Sequence, residues 1–137
     1  MKRSVTVVKI KPAFTDKRGA ITDLLNRKIS HVGLITTARG AVRASHYHEK
    51  SFQYSYILSG VFEVLTAPVR FPGKITRHVI KAGDLISIAP GTIHRFKALK
   101  QADMVDMISE SRSRNAYEGD VVRVPIAEGA FLLPASS

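Results

Sequence analysis

Short apolar runs that alternate with polar residues, cut every few positions by glycine or proline, constrain this chain more than any other feature. Residues 5–10, 32–37, 52–58, 61–67, 75–80, 85–88, 93–99 and 102–109 all carry the pattern. A period of two is that of a strand, whose successive side chains point to opposite faces. Residues 121–124 are expected to form a late strand, and 21–25 either a strand or a helical turn. No segment carries the 3.6-residue period of a long amphipathic helix. Ser59-Gly60 separates two runs by two residues and predicts a hairpin, because glycine supplies φ > 0. Pro72-Gly73 predicts a turn, Gly83-Asp84 a break with the aspartate bonded to nearby amides, and Ala89-Pro90-Gly91-Thr92 a tight turn. Residues 109–113 read as loop and 134–137 as a frayed tail. Many short strands with such turns indicate an all-β sandwich or barrel.

The 137 residues suffice for one domain, taken as 1–137, and not for two. No apolar run reaches 18 residues, so no membrane span is expected. The start, Met1-Lys2-Arg3-Ser4-Val5-Thr6, has basic residues but no long apolar stretch behind them and does not read as a secretory signal. Cysteine is absent, so no disulfides are expected and a cytoplasmic location fits. Any metal would therefore be held by nitrogen and oxygen. The net charge of +10 is uneven: residues 1–50 hold eleven Lys/Arg against three acids, and residues 101–137 three against six. There is no helix-turn-helix, zinc-finger or aromatic-basic motif, so nucleic acid is not the expected partner. A site that attracts an anionic small molecule is the functional use such charge suggests.

His46 and His48 stand two apart in the stretch Ser45-His46-Tyr47-His48. On a strand they share a face, with Tyr47 opposite. If Glu49–Ser51 turns the chain, Gln53 returns to that face, followed by Ser55 and Ile57, while Tyr54, Tyr56 and Leu58 line the other. His94 opens a later strand, with Phe96 and Ala98 on its side. Three imidazoles and an amide oxygen make a donor set for a divalent transition metal such as zinc, nickel, iron or manganese. Glu49 should point away and form a surface salt bridge. His31 and His78 lie outside the constellation.

These elements resemble the cupin superfamily. Its first motif runs Gly, five residues, His-x-His, three or four residues, Glu, six residues, Gly; here Gly40, His46, His48, Gln53 and Gly60 keep the spacing. Its second runs Gly, five residues, Pro-x-Gly, two residues, His, three residues, Asn; here Gly83, Ala89-Pro90-Gly91, His94 and Ala98 do the same. The resemblance implies an antiparallel double-stranded β-helix, the jelly-roll barrel, with ligands pointing inward. It matches His46, His48 and His94 to three family metal ligands, and Gln53 stands where glutamate is usual. A neutral amide there leaves the full charge on a divalent ion, which favours an anionic ligand and weakens metal binding.

Asp16-Lys17-Arg18-Gly19, Arg39-Gly40 and the His-x-His are together similar to cupins that epimerise or isomerise nucleotide-linked sugars. That likeness makes Arg39, Arg43, Lys17 and Arg18 candidate phosphate contacts. Without metal, His46 or His48 would be the base; with metal, its ligands are occupied and Tyr47 or Tyr56 would be left as outside candidates. The alternatives are a metal-dependent dioxygenase and a ligand-binding cupin with no chemistry. A homodimer through the apolar N-terminal strand is expected.

Overall fold

The computed structural model describes residues 4–111, 113, 119–127 and 129–133. Two long antiparallel strands organise it. β6 (Gln53–Pro68) and β9 (Thr92–Ile108) pair from Gln53↔Ile108 to Pro68↔Thr92. Along its first half β6 also pairs with β8 (Asp84–Ile88), and along its second with β7 (Thr76–Lys81). β9 takes β5 (Val42–His48) beside its first half and β4 (His31–Thr37) beside its second. β1 (Val5–Lys9) adds to β8, and β10 (Val121–Arg123) to β5.

Two layers result, β1-β8-β6-β9-β4 and β7-β6-β9-β5-β10, with the long strands passing from one to the other. All these pairings are antiparallel, which is the jelly-roll arrangement. Among the described residues, no helix is long and apolar enough to cross a membrane. The expected all-β class holds, although Gly119 and Asp120 are helical where they lead into β10.

The long strands correct the sequence reading. Ser59-Gly60 is not a hairpin, and the two runs flanking it are a single strand; residues 93–99 and 102–109 likewise merge into β9. Gly60 is the corner of β6, where the register against β9 shifts repeatedly between Ile57 and Phe62. Its φ of +81° is open to glycine, and a Cβ there would lie 2.2 Å from the Gln101 carbonyl oxygen and 2.6 Å from Ala102 Cα. Glycine thus serves a strand-to-strand crossing, which a local hairpin rule does not distinguish from a turn.

A hairpin does form elsewhere. β2 (Phe14–Asp16) and β3 (Gly19–Ile21) pair around Lys17-Arg18, and residues 22–25 take neither strand nor helix. The turns at Pro72-Gly73, Gly83-Asp84 and Ala89–Thr92 fall between strands as expected. Asp84 accepts from the Lys81 amide at 2.8 Å, the local bond its turn position predicted, and also meets Lys9 at 3.1 Å. Residues 134–137 lie outside the described residues.

The inner faces of the layers meet in a buried core of Ile57, Phe62, Val64, Ile80, Ile86, Ile88, Phe96, Ala98, Ala102 and Met104. The Phe62 and Phe96 rings pack edge to face, 5.5 Å apart. A second cluster of Ala67, Ile93, Val124 and Phe131 packs with Tyr47. A short hairpin, β11 (Ile126–Ala127) with β12 (Ala130–Phe131), brings Phe131 there.

Candidate functional site

β5 carries the histidines, and its backbone departs from regular pleating just before them. Ala44 and Ser45 have φ of 69° and 70°, and the register against β9 slips between Ala44 and His46. Two consecutive non-glycine residues in the left-handed region form a β-bulge. Its consequence is positional. Arg43 pairs with Phe96 and His46 with His94, and both partners are buried side chains of the core. Paired residues share a face, so Arg43, His46 and His48 all reach the inside. Strict alternation would have put Arg43 on the side opposite His46.

The histidines converge. Ring centroids of His46 lie 5.0 Å from His48 and 4.8 Å from His94, and those of His48 and His94 are 5.5 Å apart. One ring nitrogen from each lies within 4.8 Å of the others. A cavity of about 340 Å³ opens between the layers. From β5 it is lined by Arg43, His46 and His48, and from β6 and β9 by Gln53, Met104, Asp106 and Ile108. His94 lies deeper, fully buried against Phe96.

Two of the rings, His48 and His94, are held by partners that assign their nitrogens. His48 Nδ1 lies 2.9 Å from Asp120 Oδ2. Asp120 also accepts from the Ser51 hydroxyl, from the Lys50 amide at 2.6 Å and from the Ser51 amide at 3.3 Å. Burial raises the affinity of this carboxyl for a proton, but the bonds from Ser51, Lys50 and His48 outweigh it and hold Asp120 below the ordinary carboxylate range. An ionised Asp120 only accepts, so Nδ1 of His48 carries the proton and Nε2 is left as a basic nitrogen.

His94 Nδ1 donates to the Thr92 carbonyl at 3.0 Å, and its Nε2 is buried with no hydrogen-bond partner among the described residues. Burial pushes its pKa down to about 3, against the Thr92 bond and with a smaller push from His48. His94 is therefore neutral, with an unused lone pair on its buried Nε2.

Of the expected phosphate contacts, Arg43 lines the cavity. It donates to Thr37 Oγ1 at 2.9 Å and the Thr36 carbonyl at 2.6 Å. Two bonds leave three of its five N–H groups for a ligand. Arg39 is exposed between β4 and β5, and Lys17 and Arg18 sit on the β2–β3 turn, where Arg18 pairs with Asp16 at 2.6 Å. Those three do not line the cavity. Glu49 is exposed, as its parity required, but no ion pair holds it among the described residues. Tyr47 packs into the second cluster, away from the histidines. His31 opens β4, and His78 bonds Thr66 at 3.0 Å on β7.

Two carboxylates of the site were not anticipated. Asp106 had a visible signal. In β9 the inward positions Ala102, Met104 and Ile108 are apolar, and Asp106 is the one acid among them, buried against Ser55 at 2.7 Å. Asp120 had none, because its contact with His48 spans 72 residues and depends on β10 joining β5.

The donor set suits a metal. Three imidazoles, one with an orphaned buried nitrogen, and the Gln53 amide beside them are hard-to-borderline ligands of the kind zinc, nickel, iron and manganese accept.

Known proteins bear on this geometry. The chain is similar in structure to QdtA, a sugar 3,4-ketoisomerase from Thermoanaerobacterium thermosaccharolyticum, with 21% identity, 90% of each chain covered and a TM-score of 0.72. It is similar to a 3,4-ketoisomerase from Helicobacter canadensis, with 15% identity, 89% of this chain and 92% of that one covered, and a TM-score of 0.73. A third is NovW, a 4-keto-6-deoxy sugar epimerase from Streptomyces spheroides, with 15% identity, 93% and 72% coverage and a TM-score of 0.75. At such identities the likeness is one of fold. No curated protein matches the chain. The family model for the cupin domain matches residues 33–108. That span holds every histidine of the cluster and more than half of the chain, and this protein therefore belongs to the cupin family.

Proposed function

We propose that this protein is an isomerase or epimerase of a nucleotide-linked keto sugar, with His48 as the base. The observation that carries the reading is the His48–Asp120 pair at the wall of the cavity. Asp120 fixes the tautomer that leaves Nε2 basic and stabilises the imidazolium once formed. Nε2 takes the proton from the carbon beside a carbonyl, and the electron pair moves onto the carbonyl oxygen as an enolate. Protonation of that carbon from solvent on the face opposite His48, with the abstracted proton released from His48 to solvent, inverts it. Return of the proton to the carbon that bore the carbonyl, with the adjacent hydroxyl proton transferred to the enolate oxygen, moves the carbonyl instead. Arg43 at the cavity supplies the cation for the diphosphate. Two solved forms of the structurally similar QdtA hold TDP and TDP-4-keto-6-deoxyglucose, which supports a ligand of this class.

The test is exchange of solvent deuterium into TDP-4-keto-6-deoxyglucose. Asp120→Asn is expected to slow it by roughly 10²–10⁴-fold with the fold intact. Exchange at the wild-type rate in that variant would remove His48–Asp120 from the reaction.

A second reading is favoured by the orphaned Nε2 of His94: a divalent metal held by His46, His48, His94 and Gln53. Bound there, it would supply Lewis-acid chemistry to a carbonyl. The two uses exclude each other at His48, whose Nε2 cannot hold metal and take a proton. Elemental analysis of wild type against His94→Ala separates them: stoichiometric metal lost in the variant supports the metal centre, and none in either supports the free base.

The protein is also proposed to pair with a second copy through the outer face of the β1-β8-β6-β9-β4 layer. Val8, Leu85, Tyr54, Tyr56, Val105, Met107, Val32 and Leu34 share that face by register, with Asp103 at one end. A chain of net charge +10 repels its copy elsewhere, and this face carries no cation among these positions. β1 is the edge of the same layer.

A further inference from the structure

Three buried polar side chains run along the cavity wall that faces the β5 histidines. Ser55 and Asp106 are cross-strand partners of β6 and β9, and Gln53 is the next inward residue of β6. Ser55 Oγ lies 2.7 Å from Asp106 Oδ1, and Gln53 Nε2 lies 3.1 Å from Ser55 Oγ.

The direction of each bond follows from the groups. The Ser55 hydroxyl donates to the Asp106 carboxylate, which accepts. That hydroxyl has one hydrogen. Once it is committed, Ser55 can only accept from Gln53, and only the amide nitrogen can donate. The amide is therefore held with its nitrogen on Ser55 and its oxygen turned from that bond. An amide has two nearly isosteric ends of opposite polarity, and here a carboxylate two residues removed in the chain of bonds selects between them.

We propose that Asp106, acting through Ser55, is a positioning residue that makes Gln53 an acceptor toward the cavity. Gln53 then receives an electron-poor group, either a ligand hydroxyl or a metal cation, and does not donate to an oxyanion. The proposal rests on the cavity being the ligand site. It also accounts for a neutral amide where the family motif has a carboxylate: the negative charge stands on Asp106, and the relay passes part of its polarisation to the Gln53 oxygen.

Asp106→Asn lifts the constraint. The new amide can present its NH₂ to Ser55 as well as its oxygen; with the NH₂ there, the Ser55 hydroxyl turns to the Gln53 oxygen and Gln53 presents its own NH₂ to the cavity, so the variant samples both orientations. The sequence holds two glutamines, Gln53 and Gln101, so ¹⁵N-glutamine labelling yields two side-chain amide pairs. Nuclear Overhauser contacts of the Gln53 pair read its orientation with no ligand added. They are expected to Ser55 alone in wild type, and to cavity imidazole protons as well in Asp106→Asn. Titration with Zn²⁺ alone is expected to weaken at least tenfold in Asp106→Asn. Adding Gln53→Glu to that variant should restore most of the affinity, because a carboxylate has no orientation to reverse. Ser55→Ala, which keeps the Asp106 charge, should also weaken binding.

Unchanged amide contacts in Asp106→Asn, or no recovery in the double variant, overturn the proposal. If wild type takes no zinc, the same variants are titrated with TDP-4-keto-6-deoxyglucose. Failure of both ligands defeats the cavity as a ligand site, whereas the amide contacts still decide the relay.

Discussion

His94 is a buried imidazole whose neutrality depends on where it sits. Its folded pKa of about 3 lies below the ordinary 6.5, so between those values the unfolded chain binds a proton that the folded one refuses. Stability from this group is complete above pH 6.5 and is lost as pH falls toward 3, at up to about 1.4 kcal/mol per pH unit. Chemical denaturation of chelator-treated protein between pH 7 and 4 should show that slope, and His94→Gln should flatten it. An unchanged slope would mean that His94 is protonated in the fold. Asp120 has the opposite sign of charge and adds in the same direction. Its folded pKa is depressed, so its contribution is present above its unfolded value and fades as acid protonates it. That His46 and His48 share a face was legible from their spacing, whereas the tautomer of His48 was not. A tautomer belongs to a hydrogen bond, and this one comes from a residue 72 positions away.

Two strands depend on local backbone conformations with opposite consequences for mutation. At the β6 corner, Gly60→Ala brings a Cβ against the backbone of Gln101 and Ala102 at a φ of +81°. A loss of about 2–4 kcal/mol is expected in urea denaturation. At the β5 bulge, Ala44 is exposed and already bears the cost of φ 69°. Ala44→Gly should leave the bulge in place and raise stability by about 0.5–1 kcal/mol, measured as a higher melting temperature. If both substitutions destabilise alike, backbone strain is not what separates these sites. Strand parity was readable along 93–99 and 102–109, but the continuity of β9 was not. A corner between layers and a turn between strands use the same residues, and they differ only in whether the pairing partner follows the chain around the bend.

For the molecule as a whole, charge and shape divide the surface. The outer face of the β1 layer exposes Val8 by 52%, Val32 by 63% and Leu34 by 67%, a liability for a free sheet. Five strands about 4.8 Å apart and roughly 20 Å long present on the order of 500 Å² of flat sheet. Side-chain relief brings this toward the ~800 Å² per partner of a standard interface. Sedimentation should find a dimer for wild type and a monomer for Leu34→Lys, since each copy would bury an unpaired lysine in the interface. A monomeric wild type would leave this face without its proposed partner.

Spacing alone determined a great deal here. Two glycine-bounded motifs resemble those of the cupins, and that resemblance implied the jelly roll with the histidines and Gln53 inward; the shared face of His46 and His48 followed from a strand's period, which is short enough to be read from neighbours. What it left open was everything carried by contact between distant strands: the bulge that admits Arg43, the carboxylates of Asp106 and Asp120, and the crossing at Gly60. These are set when β10 joins β5 and when β6 and β9 bend together, and no local pattern records which strand will stand opposite which.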